Sequence, residues 1–217
     1  MKVYFISGLG ADCRIFTHIR LPEGFEKVDL DWIPPGKDES LSDYAIRMAE
    51  KINTTEKFAL VGLSLGGMLA AEIAGKYPAA ATILVSSVPS SNELPRMYKV
   101  MNTLKLQRLL PVSVIKSATI LKRFFTAETK EDKLLLKRII RDTDPNFIRW
   151  GLNAIPQWNH SSTQSGFCHI HGAKDAILPI KYTKPTHTIR TGTHMLILTN
   201  AEEVNKIIAE ALSKIKP

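Results

Sequence analysis

The chain is predicted to adopt an α/β fold: an all-parallel sheet of about six strands, helices on both faces, and one helical insertion. Three observations lead there. Short apolar runs alternate with helical patterns, as parallel strands joined by crossover helices require. The alternation is interrupted once, between about residues 90 and 160. One strand passes into a helix through a single tight turn, Leu60-Val61-Gly62-Leu63-Ser64-Leu65-Gly66-Gly67.

Strand-like runs occur at Lys2 to Ile6, Lys27 to Asp31, Phe58 to Val61, Thr82 to Val85, Phe167 to His171 and Thr186 to Arg190. Helical patterns lie at Cys13 to Ile19, Leu41 to Ile52 and Leu65 to Lys76, with a last amphipathic helix from Ala201 to Ile215 that Asn200 is placed to cap. Between Ser90 and His160 the candidates are Glu93 to Leu109, Val112 to Phe124 and Lys130 to Ile140, punctuated by Pro95, Pro111, Pro145 and Pro156. The expected organisation is a core of residues 1–90 and 161–217 carrying a helical cap of residues 91–160.

The turn at Ser64 has the form Gly-x-Ser-x-Gly. A serine at the tip of so tight a strand-to-helix turn occupies strained backbone, and Cβ atoms two residues either side would collide. Gly62 and Gly66 remove them, and Gly67 allows the helix to approach the sheet. Such an elbow exposes a nucleophilic hydroxyl. The hydroxyl needs a base, and the base needs an orienting carboxylate. Asp175 follows the fifth strand in His171-Gly172-Ala173-Lys174-Asp175, and His194 follows the sixth in Thr191-Gly192-Thr193-His194. Both stand at the carboxyl ends of strands, where open α/β sheets place their sites. Glu93, after the fourth strand, is the competing acid.

In the order Ser64, Asp175, His194 the chain resembles the α/β-hydrolase superfamily over essentially its full length. Within it, the chain is similar to small capped carboxylesterases, including pimeloyl-carrier-protein methyl ester esterases with a Gly-x-Ser-Leu-Gly-Gly elbow. The resemblance implies an α/β-hydrolase fold that here lacks the usual amino-terminal hairpin. It implies a Ser64–His194–Asp175 triad cleaving carboxylic esters or thioesters through an acyl-enzyme, with no metal and no organic cofactor. It also assigns Ser7-Gly8-Leu9-Gly10 to the oxyanion turn, with Leu9 and Leu65 contributing backbone N–H groups. Ser7 stands where the family usually has histidine. Two non-hydrolytic readings use the same residues: lyase chemistry with His194 as base, and a ligand-binding protein with a vestigial triad.

Met68 and Met195 flank the catalytic positions and are candidates to touch substrate. Phe124, Phe125, Phe147, Trp150 and Trp158 either line an acyl pocket, for which Phe124 and Trp150 are the chosen candidates, or pack the cap onto the core. His169 and His171 share one strand face, yet no third ligand has metal spacing, and a structural role is expected. His18, His160 and His187 have no context that singles them out, although His160 could approach the pocket from the cap. Cys13 and Cys168 are read as reduced thiols.

The net charge of +8 is local. Residues 96–150 hold 13 Lys or Arg against 5 Asp or Glu, so this segment supplies the whole excess. It is either a solvated helical face or a surface for an anionic partner. The anionic partner such a face would meet is an acyl carrier, such as acyl carrier protein or coenzyme A, contacted by cap residues that include Arg123, Arg138 and Arg141, or an ester that itself bears a carboxylate. Gly8-Leu9-Gly10 begins like a dinucleotide fingerprint but lacks its final small residue, and no nucleic-acid-reading motif is present. No apolar run approaches the roughly 20 residues of a membrane span. The strand beginning at Lys2 leaves no signal-peptide pattern, so a cytoplasmic location is expected.

Overall fold

The computed structural model describes residues 1–104, 129–161 and 166–215. Its sheet has six strands: β1 (Lys2–Ile6), β2 (Glu26–Asp29), β3 (Phe58–Leu63), β4 (Ala81–Val85), β5 (Cys168–Gly172) and β6 (His187–Ile189). They run in the order β2-β1-β3-β4-β5-β6, every pairing parallel. Strand order reverses between β1 and β3, so the crevice beyond their carboxyl ends is the topological switch point of the sheet. In register Ile6 lies beside Gly62, which brings the turn after β1 and Ser64 to the same crevice.

Strand residues alternate between two buried clusters, as a sheet covered on both faces requires. Tyr4, Ile6, Phe58, Leu60 and Leu84 belong to one, packed under α1 (Leu41–Ala49) and α2 (Leu65–Lys76). Val3, Phe5, Ala59, Val61, Ile83 and Val85 belong to the other. That second face is covered by the 3-10 turn Cys13–Phe16 and by the final helices, whose buried residues share the cluster.

The insertion supplies α3 (Arg96–Thr103), α4 (Lys130–Asp142) and α5 (Pro145–Gln157). It straddles the sheet: Leu136 and Ile139 of α4 join one cluster, Phe147, Trp150, Ala154 and Ile155 of α5 the other. Its two ends are clasped together. Ser91 donates from N and Oγ to the His160 carbonyl, at 2.9 and 3.0 Å, and the His160 amide donates back to Ser91 Oγ at 3.2 Å. The chain closes with α6 (Leu196–Thr199) and α7 (Ala201–Ser213).

Several local expectations are corrected. Cys13 to Ile19 is no α-helix: Ile15, Thr17 and Ile19 donate three residues back, a 3-10 pattern that buries Ile15 and Phe16 in a short span. Pro145 starts a helix that the sequence reading treated as broken. It occupies the first turn, where its missing N–H has no partner to lose, after an Asp144 cap that accepts from Asn146 N at 2.8 Å. Asn200 sits at the start of α7, but its side chain bonds Thr191 and Thr199 and makes no cap. The turn Ser91–Glu93 precedes Pro95, so α3 begins at Arg96. The expected helix Val112 to Phe124 and the residues Arg123, Phe124 and Phe125 lie outside the described residues.

Candidate active site

Ser64 caps α2 with φ +52° and ψ −117°, a backbone region that costs a non-glycine residue about 1–3 kcal/mol. The surroundings leave it little choice. Its N–H donates to Val85 O at 2.9 Å, and its carbonyl accepts from Ser87 Oγ at 2.6 Å. The three elbow glycines are sterically required. A Cβ on Gly62 would lie 2.5 Å from Gly67 Cα, one on Gly66 would lie 2.6 Å from the Ile6 carbonyl carbon, and one on Gly67 would lie 2.5 Å from Ser87 Cβ.

His194 Nε2 stands 3.0 Å from Ser64 Oγ, and His194 Nδ1 stands 2.8 Å from Asp175 Oδ2. The other carboxylate oxygen accepts from the amides of Ile177 and Leu178, both at 2.9 Å. The Asp175 side chain is fully buried. Burial pushes its pKa up, but the adjacent His194 and the donated hydrogen bonds outweigh this and hold it below the usual carboxylate value. The site therefore contains a hydroxyl, an imidazole in reach of its proton, and an ionised carboxylate behind that imidazole. Glu93 is engaged elsewhere: its carboxylate accepts from Thr183 Oγ1 and, at 3.4 Å, from Lys184 N.

Two glycines that the sequence reading passed over bring the acid and the imidazole together. A Cβ on Gly172 would lie 2.6 Å from the Gly192 carbonyl carbon, and one on Gly192 would lie 3.1 Å from Gly172 Cα. The loops after β5 and β6 thus touch backbone to backbone, and Lys174 N donates to Gly192 O at 2.9 Å.

The turn after β1 comes against the serine: a Cβ on Gly8 would lie 3.3 Å from Ser64 Cβ. Among the described residues the amides of Leu9 and Leu65 have no hydrogen-bond acceptor, so both are free to donate to a ligand oxygen. Ser7, in the usual histidine position, is buried and donates to Ala11 O at 3.1 Å, bracing the turn.

Next to Ser64 lies a cavity of about 190 Å³. Leu9, Met68, Leu136, Ile140, Ile148, Leu152, Ile155, Leu178 and Met195 line it, together with Gly8, Ser64 and His194. Met68 and Met195 both lie in this lining. Trp150 is not among the lining residues. Its ring stacks within 4.3 Å of Tyr44 and its indole N–H donates to Glu39 O at 2.8 Å, which packs α5 on the core. Phe147 packs the same way, 4.4 Å from Trp32. Trp158 and His160 stack on each other and both bond Glu72, so His160 does not approach the cavity.

Tyr98 of α3 was missed by sequence reading and contributes the other hydroxyl of the lining. Burial, with the Asp175 charge adding to it, pushes its phenol up to about 12, so it remains a hydrogen-bond donor at neutral pH. The cysteine thiols are both pushed up, chiefly by burial, and neither is activated. Among the described residues no cluster of three or more His, Cys, Asp or Glu is arranged to hold a metal, and no helix is long and apolar enough to cross a membrane.

Gly151 links α5 to the turn after β1. A Cβ there would lie 2.5 Å from Leu9 Cδ1 and 3.4 Å from Leu9 Cγ. Gly151→Val is expected to push Leu9 aside and lower kcat on an ester substrate about tenfold to a hundredfold with the fold retained. Steady-state kinetics beside a thermal melt check this.

No protein-family model and no curated protein matches the chain. Solved structures do. An esterase from Exiguobacterium antarcticum matches at 14% identity and TM-score 0.79, over 98% of this chain and 92% of that one. A thermophilic esterase from Thermogutta terrifontis matches at 18% and 0.76, over 99% and 90%. MenH from S. aureus matches at 15% and 0.72, over 99% and 94%. Likeness at such identity carries architecture, and with the six-stranded parallel sheet it establishes that the chain has the α/β-hydrolase fold.

Proposed function

We propose that the protein is a serine hydrolase of carboxylic esters or thioesters. The observation that carries the reading is the hydrogen-bonded line Ser64 Oγ–His194 Nε2, His194 Nδ1–Asp175 Oδ2, at 3.0 and 2.8 Å, opening on an apolar cavity. In this reading Ser64 Oγ attacks the acyl carbon while His194 takes its proton. Asp175 keeps the imidazole in the tautomer that presents an Nε2 lone pair to the serine, and stabilises the imidazolium once formed. The Leu9 and Leu65 amides bind the oxyanion, each worth about 3 kcal/mol in sites of this kind. His194 then protonates the leaving group, and a water molecule, activated by the same imidazole, releases the acid.

The lining limits the acyl group. None of the described lining residues is Lys or Arg, so the portion beside Ser64 is uncharged. A cavity of about 190 Å³ is slightly larger than the ~150 Å³ that holds a benzene ring, which suits an acyl chain of about four to eight carbons. Any anionic carrier lies outside, where Lys130, Lys133, Lys137 and Arg138 of α4 are exposed. That exposed cationic face supports an acyl carrier protein or coenzyme A as the donor of the acyl group.

Fluorophosphonate labelling of wild type against Ser64→Ala, with p-nitrophenyl esters of two to twelve carbons, tests the reading. Labelling is expected in wild type only, with a chain-length optimum and a fall at long chains. Turnover of an acyl carrier substrate is expected to fall with salt while a neutral ester is unaffected. Absence of labelling in folded wild type would remove the nucleophilic role of Ser64, and lyase or binding chemistry would replace it.

A further inference from the structure

Two histidines stand behind Asp175 that the proposed reaction does not use. His169 and His171 lie two residues apart on β5, 2% and 0% exposed, with rings edge to face at 5.3 Å. His169 Nε2 is 3.2 Å from His171 Nδ1, and His171 Nε2 is 2.7 Å from Leu178 O. A carbonyl oxygen only accepts, so His171 carries a proton on Nε2. In a neutral ring Nδ1 is then a lone pair, turned toward His169 Nε2.

The other side of this arrangement is the acid. His171 Nε2 also lies 3.4 Å from Asp175 Oδ2, the oxygen that His194 engages. Leu178, whose carbonyl His171 holds, donates its own N–H to Asp175 Oδ1 at 2.9 Å. One imidazole thus holds the peptide that orients the carboxylate and lies beside the carboxylate itself.

We propose that His169 and His171 are positioning residues for the Ser64–His194–Asp175 line. The Leu178 carbonyl fixes the His171 proton on Nε2, His169 backs the opposite ring nitrogen, and His171 in turn holds the Leu178 peptide that orients Asp175 while adding no charge beside it. This rests on the catalytic reading of that line. A cationic His171 would compete with His194 as counter-ion to Asp175; a neutral one leaves that role to His194. Burial is the main cause keeping both rings neutral. His169 is pushed down to about 3, with His171 adding to burial and the Ser87 backbone opposing. His171 is also pushed down by burial, against Leu178 O, Asp175 and Glu93, with His194 reinforcing it.

The test is the long-range proton–nitrogen spectrum of wild-type protein labelled with ¹⁵N-histidine, recorded between about pH 5 and 8. His171 is expected as the Nε2–H tautomer throughout. A His171 protonated on Nδ1, or on both nitrogens, would overturn the proposal, and this needs no variant to fold. The second arm compares His171→Leu with His171→Gln. The leucine leaves the Leu178 carbonyl unpaired and loosens the peptide whose N–H donates to Asp175, so the carboxylate becomes more basic, the acid limb of kcat/KM moves upward by about half a pH unit and the rate falls about tenfold. Glutamine, which restores an N–H, returns both toward wild type. An equal loss in both variants with an unmoved acid limb would reduce the pair to core packing. Failure of Ser64 labelling would sink the catalytic reading separately and would leave the tautomer as measured.

Discussion

Asp175→Asn is expected to lower kcat/KM by about 10⁴-fold while leaving the fold intact. The Asn amide retains an oxygen for the Ile177 and Leu178 N–H groups, which now donate to Asp175 Oδ1, so the turn is kept. Its NH₂ then faces His194 Nδ1 and forces the proton onto Nε2, where it confronts Ser64 with a donor in place of a base. The same variant tests the electrostatics of the site. The native carboxyl is held below its ordinary value, so it contributes stability that is complete above the unfolded value of about 3.9 and is lost as pH falls through the lower folded value. Urea unfolding of Asp175→Asn is therefore expected to show a smaller loss of stability in acid than wild type does. Undiminished turnover in Asp175→Asn would pass the role of acid to another group.

Gly66→Ala is expected to cost about 3 kcal/mol or more of folding stability, because the added Cβ meets the backbone of Ile6 and Ser7 at the end of a central strand. Nothing there is a movable side chain tip. Gly10→Ala is the internal comparison: Gly10 has φ +79° with open space around it, so only the conformational cost of about 1 kcal/mol is expected. Urea midpoints of the two variants check the difference. Equal losses would mean that the elbow glycines serve conformation and not close approach.

The elbow was legible in the sequence because its chemistry leaves few choices. A strained serine between a buried strand and a helix requires glycines at 62, 66 and 67, and the sheet, being parallel, puts Asp175 and His194 on loops at the same edge. What decided the rest was pairwise approach between distant segments, to which single positions are blind. Gly172 and Gly192 look like ordinary loop glycines until their backbones touch. Trp150 has the composition of a pocket wall, and only the face of α5 it occupies sends it to Tyr44. Pro145 and Pro156 read as breaks, yet Pro145 starts α5 and Pro156 falls in its last turn, with the helix ending one residue beyond it. His169 and His171 were recognised as structural, but their link to the acid passes through the Leu178 peptide, which no spacing encodes.

The clasp between Ser91 and His160 gives the molecule a seam along which it can be altered. Because entry and exit of the intervening chain are fixed to each other, the ring they close depends weakly on its length, about 0.6 kcal/mol for each doubling. Segments of different size can be grafted between those two residues, provided the aromatic plug of Phe147 and Trp150 on Trp32 and Tyr44 is carried along. Leu136, Ile140, Ile148 and Ile155 are supplied to the cavity by the ring, so a graft there replaces one wall of the cavity and leaves Ser64, Asp175 and His194 on the loops of the sheet.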